Sequence, residues 1–395
     1  MTFAAGSWKA PGSWRWSKAH ERILLAASLI LLTWFFVFRE GSPFQDRLAL
    51  SRYFHDAEVE LELRNVTWRD FAYVTYATNL DYLCNSVMMV EALDRLGAKA
   101  ERVILHSEEW SINSTMEAEN GTEVYTTEAR LLQKAKEKYN AVLQPVPVQR
   151  VSGDMTWGDS FTKLLAFNQT QYRRVLALDS DSTILQPMDE LFLLPPTPVA
   201  MPRAYWLTHE LFDAITLITP SSTSASRIQT AIANRSETDF DMDIMNAVFG
   251  DSCMVLPHRD YALVTGEFRK QEPGQHVAYL GEEGEVWDAR KVVDQAKFVH
   301  FSDWPLGKPW VASAWEVREE VRPKCVREGS MEEDCGDREV WEGLYGDFRE
   351  RRKDICGPEL VGWESEETDR EVARLLANPV STAAAAESST SAPAR

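Results

Sequence analysis

The chain has 395 residues, of which 44% are hydrophobic and 26% are charged. This composition is typical of a globular protein, and the length suffices for one large catalytic domain or two smaller ones. The formal net charge of −19 argues against a nucleic-acid partner, because such a chain repels a phosphate backbone. An anionic substrate would therefore need a local group of positive charges or a bound metal ion.

The N-terminal region contains 16 uncharged and almost wholly apolar residues, 23–38, with the sequence "ILLAASLILLTWFFVF". As a helix they would span about 24 Å, near the thickness of an early-secretory membrane. A cleaved signal peptide and a core helix are the alternatives, but no small-residue cleavage site follows and no face is polar. We therefore predict a retained transmembrane signal anchor. Four basic residues precede it, so residues 1–22 are predicted to be a cytoplasmic tail and the remaining chain to be lumenal.

Asn-x-Ser/Thr sequons support a lumenal location, because N-glycans are added in the secretory pathway. They lie at Asn65, Asn113, Asn120, Asn168 and Asn234. The sequence therefore predicts a glycosylated, single-pass type II membrane protein.

The five cysteines agree with a secretory compartment. Cys325, Cys335 and Cys356 lie near one another in the sequence, and we predict one disulfide among them, with Cys84 and Cys253 elsewhere. An odd number leaves at least one thiol free or paired with another molecule.

The segment at 39–69 is mixed in charge and is predicted to be a stem, after which strand and helix patterns alternate. Strands are predicted in "FAYVTYAT" (71–78), "ERVILHS" (101–107) and "AVLQPVPV" (141–148), and helices in "NSVMMVEALDRLGA" (85–98) and "EARLLQKAKEKYN" (128–140). This order implies a parallel sheet covered by helices, as in nucleotide-binding α/β folds.

The same alternation continues toward the C-terminus. A helix is predicted in "DSFTKLLAFNQ" (159–169), and strands in "RRVLALDSD" (173–181), "TLITPS" (216–221), "CMVLPHRDYAL" (253–263) and "AKFVHFSD" (296–303). The apolar run in 173–181 fits a central strand that is buried on both faces. A mixed-charge helical extension is predicted at 313–378, and a disordered, low-complexity tail at 379–395.

Two strand ends carry the residues that suggest chemistry. Asp179 and Asp181 stand two apart at the end of an apolar strand, so their carboxylates point the same way and need a cation between them. In "VHFSDWPLGKPW", His300 also follows a strand and Lys308 comes eight residues later. Two carboxylates and an imidazole leave coordination positions open on Mn²⁺ or Mg²⁺, and Mn²⁺ tolerates the nitrogen better. Diphosphate oxygens suit those positions, and Lys308 could neutralise a departing diphosphate.

Four motifs in the same order resemble glycosyltransferase family 8, which includes glycogenin. They are "FAYVTYATNLDYLCNSVMMVEAL", "SFTKLLAF", "YRRVLALDSDSTIL" with "DELF", and "VHFSDWPLGKPW". The chain looks most similar to the fungal, Golgi-anchored glucose N-acetyltransferase branch of acetylglucosaminyltransferases. The resemblance implies a GT-A catalytic domain over residues 70–312, a UDP-sugar donor, Mn²⁺ and retention of the α configuration.

The resemblance also implies roles for individual residues. The metal ligands would be Asp179, Asp181 and His300. The nucleotide-sugar-binding residues would be Tyr76, Thr78, Asn79, Tyr82, Lys163, Gly307 and Lys308, and the catalytic residues Lys308, Asp241 and Lys163. In two places the chain departs from the family: Phe212, Asp213 and Ala214 stand where "NSG" is usual, and the interval between His300 and Lys308 is longer than in glycogenin.

The sequence thus predicts a Golgi-membrane glycosyltransferase that moves N-acetylglucosamine, or otherwise glucose or galactose, from a UDP-sugar to a glycan acceptor. A catalytically silent carbohydrate-binding or scaffold protein is one alternative. Retention of the clustered charges argues against it, because carboxylates without a function at a strand end lower stability. A metal-dependent UDP-sugar hydrolase is the other alternative, because water could replace the acceptor at the same residues.

Overall fold

The computed structural model describes residues 66–149, 159–207, 209–282, 284–326 and 333–361. The predicted anchor at 23–38, nearly all of the predicted stem and the predicted tail at 379–395 lie outside these ranges, as does Asn65. Among the helices of the described ranges, none combines the length and the apolar character needed to cross a membrane.

The described chain alternates strands and helices, as the sequence pattern predicts. The strands are β1 (Phe71–Ala77), β2 (Glu101–Ser107), β3 (Thr115–Glu117), β4 (Glu123–Tyr125), β5 (Val142–Val146), β6 (Arg174–Leu178), β7 (Ser182–Ile184), β8 (Val199–Pro202), β9 (Ile215–Ile218), β10 (Met254–Leu256), β11 (Leu263–Val264) and β12 (Phe298–His300). The α-helices are α1 (Leu80–Arg95), α2 (Thr127–Tyr139), α3 (Ser222–Asn234), α4 (Asp241–Phe249), α5 (His258–Tyr261), α6 (Val277–Leu280), α7 (Ala289–Gln295), α8 (Trp315–Val321) and α9 (Gly336–Cys356). Short 3₁₀ helices occupy Trp68–Asp70, Ser160–Asn168, Asp189–Leu193, Thr265–Arg269, Pro273–His276 and Pro358–Leu360.

Three elements differ from their sequence-based predictions. Helix α1 begins five residues before the predicted start, because the side chain of Asn79 accepts a hydrogen bond from the backbone N–H of Tyr82 and caps the helix. The helix predicted at 159–169 is a 3₁₀ helix. The strand predicted at 253–263 is divided into β10, α5 and β11, because Pro257 has no N–H with which to continue a ladder.

The main sheet has the strand order β10-β8-β9-β6-β1-β2-β5. Only β9 runs antiparallel to its neighbours β6 and β8, and the other pairs of this sheet are parallel. The predicted α/β fold with a mostly parallel central sheet is therefore confirmed. Since β6 and β8 both oppose β9, they run in the same direction and their carboxyl ends share one edge of the sheet, where ligands of such folds bind.

Helices cover both faces of this sheet. Every residue of β1 and β6 is buried. Successive side chains of a strand point to opposite faces, and Ala72, Val74 and Tyr76 pack on one side with the 3₁₀ helix Ser160–Asn168, α3 and α4. On the other side, α1, α2, α7 and α9 build a second apolar core. The helices α8 and α9 thus belong to the compact unit that starts at Thr67.

Two disulfides join described cysteines. Cys325 pairs with Cys335, which confirms one disulfide within the C-terminal group. Cys356 pairs with Cys84, which lies 272 residues away, and this second pairing was not predicted. Cys356 can reach Cys84 because α9 packs against α1, which brings the two Cα atoms to 5.8 Å. Cys253 forms no disulfide with any of the described cysteines, in agreement with the expected unpaired thiol.

Candidate metal and nucleotide-sugar site

The two aspartates at the end of β6 meet the histidine at the end of β12. Asp179 follows β6 and Asp181 precedes β7, so both lie in the turn that joins these strands. Strand β12 pairs antiparallel with β7 and places His300 opposite Ser182. As a result, His300 Nε2 lies 3.3 Å from Asp181 Oδ1, and one ligand atom from each of Asp179, Asp181 and His300 falls within 4.8 Å of the others. The structure brings together all three predicted metal ligands.

Lys308 reaches this cluster despite its longer separation from His300. Its Nζ lies 2.7 Å from Asp181 Oδ2 and donates a hydrogen bond of 2.5 Å to the carbonyl oxygen of Phe301. The neighbouring Gly307 donates its backbone N–H to Ser313 Oγ at 3.2 Å, and a Cβ on Gly307 would come within 3.1 Å of that oxygen. A larger residue at position 307 would therefore press against the loop that carries Lys308.

Lys163 is buried beside the metal cluster and binds three carboxylates. Its Nζ lies 3.1 Å from Asp179 Oδ2 and 2.9 Å from Asp213 Oδ2, and it also forms an ion pair with Asp241 at the first residue of α4. The predicted residues Lys163 and Asp241 are thus in direct contact. Asp213 was not among the predicted site residues. The only indication in the sequence was that Asp213 stands where the family pattern has a different residue.

The buried charges shift one another's protonation. Burial raises the pKa of Asp179 to about 6, although Lys163 opposes the change. Burial alone would also raise the pKa of Asp181, but Lys308 and His300 hold it well below its ordinary value. Burial and the neighbouring carboxylates raise the pKa of Asp213, while Lys163 opposes them. Asp181 is therefore firmly ionised, whereas Asp179 and Asp213 resist ionisation in the metal-free protein.

The residues predicted to hold the nucleotide lie around the start of α1. Tyr76 is buried, and its ring stacks on that of Tyr82 with a centroid distance of 6.4 Å. Tyr82 in turn meets Trp310, two residues beyond Lys308, edge to face at 5.5 Å. Thr78 is buried next to them, whereas Asn79 is exposed and uses its side-chain oxygen to cap α1. Nucleotide contacts of Asn79 would therefore come from its amide nitrogen or its backbone.

Known proteins of high similarity are fungal. A protein from Gibberella zeae called glucose N-acetyltransferase 1 is 48% identical over 305 residues, which is 75% of this chain and 64% of that protein. The Aspergillus fumigatus protein of the same name is 42% identical over 354 residues, or 85% of this chain and 86% of that protein. The chain belongs to the glucose N-acetyltransferase 1 family. This membership confirms the resemblance found in the sequence.

Solved structures are less similar to this member of the glucose N-acetyltransferase 1 family than the two fungal proteins are. No family model matches the chain. A crystal structure of the galactosyltransferase LgtC with donor and acceptor sugar analogues superposes with a TM-score of 0.42 at 11% identity, covering 71% of this chain and 99% of LgtC. A likeness of that size carries no argument about the site.

The charges and orphaned atoms of the site fit a divalent cation. Four carboxylates face two lysine ammonium groups, so the carboxylates carry two more formal charges than the lysines once all four are ionised. Asp179 and Asp181 each bind a lysine through Oδ2. Asp181 Oδ1 faces His300, and Asp179 Oδ1 is buried without a hydrogen-bond partner among the described residues. A buried carboxylate oxygen is normally hydrogen-bonded. The unpartnered Oδ1 of Asp179, beside Asp181 Oδ1 and the imidazole of His300, therefore matches the ligand set that Mn²⁺ accepts.

Proposed function

We propose that this chain has a GT-A-type catalytic domain that transfers a sugar from a UDP-sugar to a glycan acceptor, with Mn²⁺ and with retention of configuration. The observation that carries the proposal is the convergence of Asp179, Asp181 and His300 beside Lys308 at the carboxyl end of β6, a central strand of the mostly parallel sheet. Membership of the glucose N-acetyltransferase 1 family supports N-acetylglucosamine as the sugar, ahead of glucose or galactose.

The roles of the residues follow from their charges. Mn²⁺, when held by Asp179, Asp181 and His300, would supply positive charge for the diphosphate of the donor. Lys308 lies at the same carboxylate and would stabilise the negative charge that builds on the departing UDP. Lys163 keeps Asp241 ionised: burial alone would raise the pKa of Asp241, but Lys163 lowers it. Asp241 would then present a fixed negative charge to the positive charge that develops on the sugar.

Release of UDP distinguishes this function from the two alternatives. The full chain, purified in detergent with Mn²⁺, would be given UDP-N-acetylglucosamine, UDP-glucose and UDP-galactose with and without a panel of free oligosaccharides as acceptors. Transfer predicts UDP release that depends on acceptor, with a mass increase of the acceptor. Release without any acceptor product would indicate a hydrolase. Binding of an oligosaccharide without UDP release from any donor would support the carbohydrate-binding alternative. Asp181→Ala serves as the inactive control.

We also propose that the catalytic domain is lumenal and anchored in the Golgi membrane by residues 23–38. The described asparagines of the sequons, Asn113, Asn120, Asn168 and Asn234, are all exposed and so are accessible to glycosylation. The two disulfides suit the oxidising secretory pathway. The apolar length of 23–38 and the basic residues before it support the type II orientation.

A further inference from the structure

Helix α9 lies beyond the region that carries the family motifs, yet it packs on the loop that bears Lys308. This loop, residues 301–310, is called the lysine loop below. The ring of Phe301 contacts the rings of Tyr345 and Phe348 of α9, each at a centroid distance of 5.1 Å. Trp310, at the other end of the lysine loop, stacks on Phe348 at 5.9 Å. Both ends of the loop therefore rest on one helix.

A buried carboxylate fixes the middle of the lysine loop to the same helix. Asp303 is only 3% exposed and accepts a hydrogen bond of 2.8 Å from the hydroxyl of Tyr345. Thr265 donates to the same carboxylate oxygen. Because Asp303 stands between His300 and Lys308 in the chain, its position limits how far either residue can move.

The same face of α9, one turn beyond Phe348, holds the start of α1. Arg352 is fully buried and donates to the backbone oxygen of Asp81 at 3.1 Å and to its carboxylate at 2.5 Å. The guanidinium of Arg352 also lies over the ring of Trp310, 5.6 Å from its centroid. The disulfide Cys84–Cys356 joins the two helices one turn further along α9. Arg352 thus touches the lysine loop and the turn that carries Tyr82.

We propose that α9 is a brace that fixes the lysine loop against α1, with Tyr345 and Arg352 as positioning residues for donor binding. The inference rests on the proposed function, in which Lys308 contacts the diphosphate and Tyr82 lies at the nucleoside. Those two groups belong to segments far apart in the chain, and Trp310 packs between Tyr82 and Arg352. A displacement of the order of 1 Å between such groups is enough to weaken binding and catalysis strongly.

Adjacent arginines on α9 provide a matched test. Arg351 also binds α1, through Glu91 at 2.6 Å and the backbone oxygen of Met88 at 3.1 Å. In contrast to Arg352, it makes no hydrogen bond, ion pair or ring contact with the lysine loop among the described residues. We expect Arg352→Met to raise the Kd for UDP in the presence of Mn²⁺ by about tenfold or more, and Arg351→Met to change it by less than about twofold. Calorimetric titration of each full-length variant with UDP measures both values.

A milder pair of variants covers the case in which Arg352→Met does not fold. Tyr345→Phe removes one hydroxyl donor and leaves the ring packing intact, and Tyr172→Phe removes a comparable hydroxyl that donates to Glu101 at 2.7 Å. We expect Tyr345→Phe to lower kcat for UDP release about tenfold or more with a smaller change in KM, because Lys308 acts as charge builds on UDP. Tyr172→Phe should lower thermal stability by about as much as Tyr345→Phe does, and it should leave kcat unchanged.

The outcomes separate this inference from the proposed function. If the native chain fails to bind UDP with Mn²⁺, the proposed function is wrong and the inference falls with it. If the native chain binds UDP while both arginine variants bind alike and both tyrosine variants turn over alike, the brace is refuted and the proposed function stands.

Discussion

Replacement of Asp179 by asparagine should stabilise the metal-free protein, although Asp179 is a candidate metal ligand. Burial raises the pKa of this carboxyl to about 6 from an ordinary value of 3.8. Between those two pH values the folded state holds a proton that the unfolded chain has released. The free energy of unfolding therefore falls as the pH rises from about 4 to about 6, and it stays lower at neutral pH. Asparagine does not ionise, so it buries no charge and avoids this penalty.

The size of the effect follows from the two pKa values. They differ by about 2, and one pKa unit corresponds to about 1.4 kcal/mol, so ionised Asp179 costs the folded state about 3 kcal/mol at neutral pH. The side chain is only 15% exposed, so solvent screens it little. A folded unit of this size shifts its melting temperature by somewhat less than about 2 °C for each kcal/mol, so the Asp179→Asn variant should melt about 5 °C higher than the native chain in EDTA.

Thermal unfolding under three conditions tests this reasoning. In EDTA at pH 7.5 the variant should be the more stable protein, and at pH 4 the two should be equal. With Mn²⁺ and UDP at pH 7.5 the order should reverse, because only the native site is stabilised by the bound ligands. Asp251→Asn, at an exposed position, is the control and should change nothing. A variant that melts below the native chain in EDTA at pH 7.5 would refute the argument.

Three further predictions concern metal, charge and topology. Asp181→Ala should fold but lose Mn²⁺-stimulated UDP release, and unchanged release would contradict the metal assignment. Lys308→Ala should lower kcat by about two to three orders of magnitude with little loss of UDP-sugar affinity. Near-normal turnover of this variant would mean that another cation, such as Lys163, has that role. The full-length protein should remain in a carbonate-resistant membrane fraction and carry endoglycosidase-sensitive glycans. Soluble secretion of a chain that begins after about residue 40 would instead indicate a cleaved signal peptide.

The sequence could predict residues that stand next to strongly apolar runs. Asp179 and Asp181 follow β6, and His300 ends β12, so each is marked by the hydrophobic strand before it. A parallel sheet buried on both faces needs such runs, and its functional edge lies at their carboxyl ends. For the same reason the strands β1, β2 and β6 lie close to their predicted positions.

Asp213 escaped prediction because it precedes its strand. Strand β9 runs antiparallel to β6 and β8, so its amino end lies at the edge where their carboxyl ends meet. Nothing in the residues of β9 distinguishes an antiparallel strand from a parallel one within a buried sheet. The backbone N–H of Asp179 donates to the carbonyl of Ala214 at 2.9 Å, which holds the two segments side by side. Only the three-dimensional pairing shows that Asp213 faces Lys163.

The sequence also did not predict the pairing of Cys84 with Cys356 or the contacts of α9. Hydrophobic periodicity indicates which face of a helix is buried, but it does not identify the surface that covers that face. Helix α9 buries Tyr345, Phe348 and Arg352 on one side. A fully buried arginine is unusual unless it is paired, and here the partners lie on α1, some 270 residues earlier in the chain.

The positions of the two lysines explain how the site can exist before a metal ion binds. Four carboxylates at one sheet edge would repel one another and spread apart. Lys163 and Lys308 each bind the Oδ2 atom of one aspartate of the proposed metal site, which leaves the Oδ1 atoms of Asp179 and Asp181 for other partners. The lysines therefore reduce the repulsion and also fix the orientation of the carboxylates. Because the ligand oxygens are already held in place, an incoming cation would not have to order them, and the cost of keeping Asp179 buried and ionised is repaid when the cation binds.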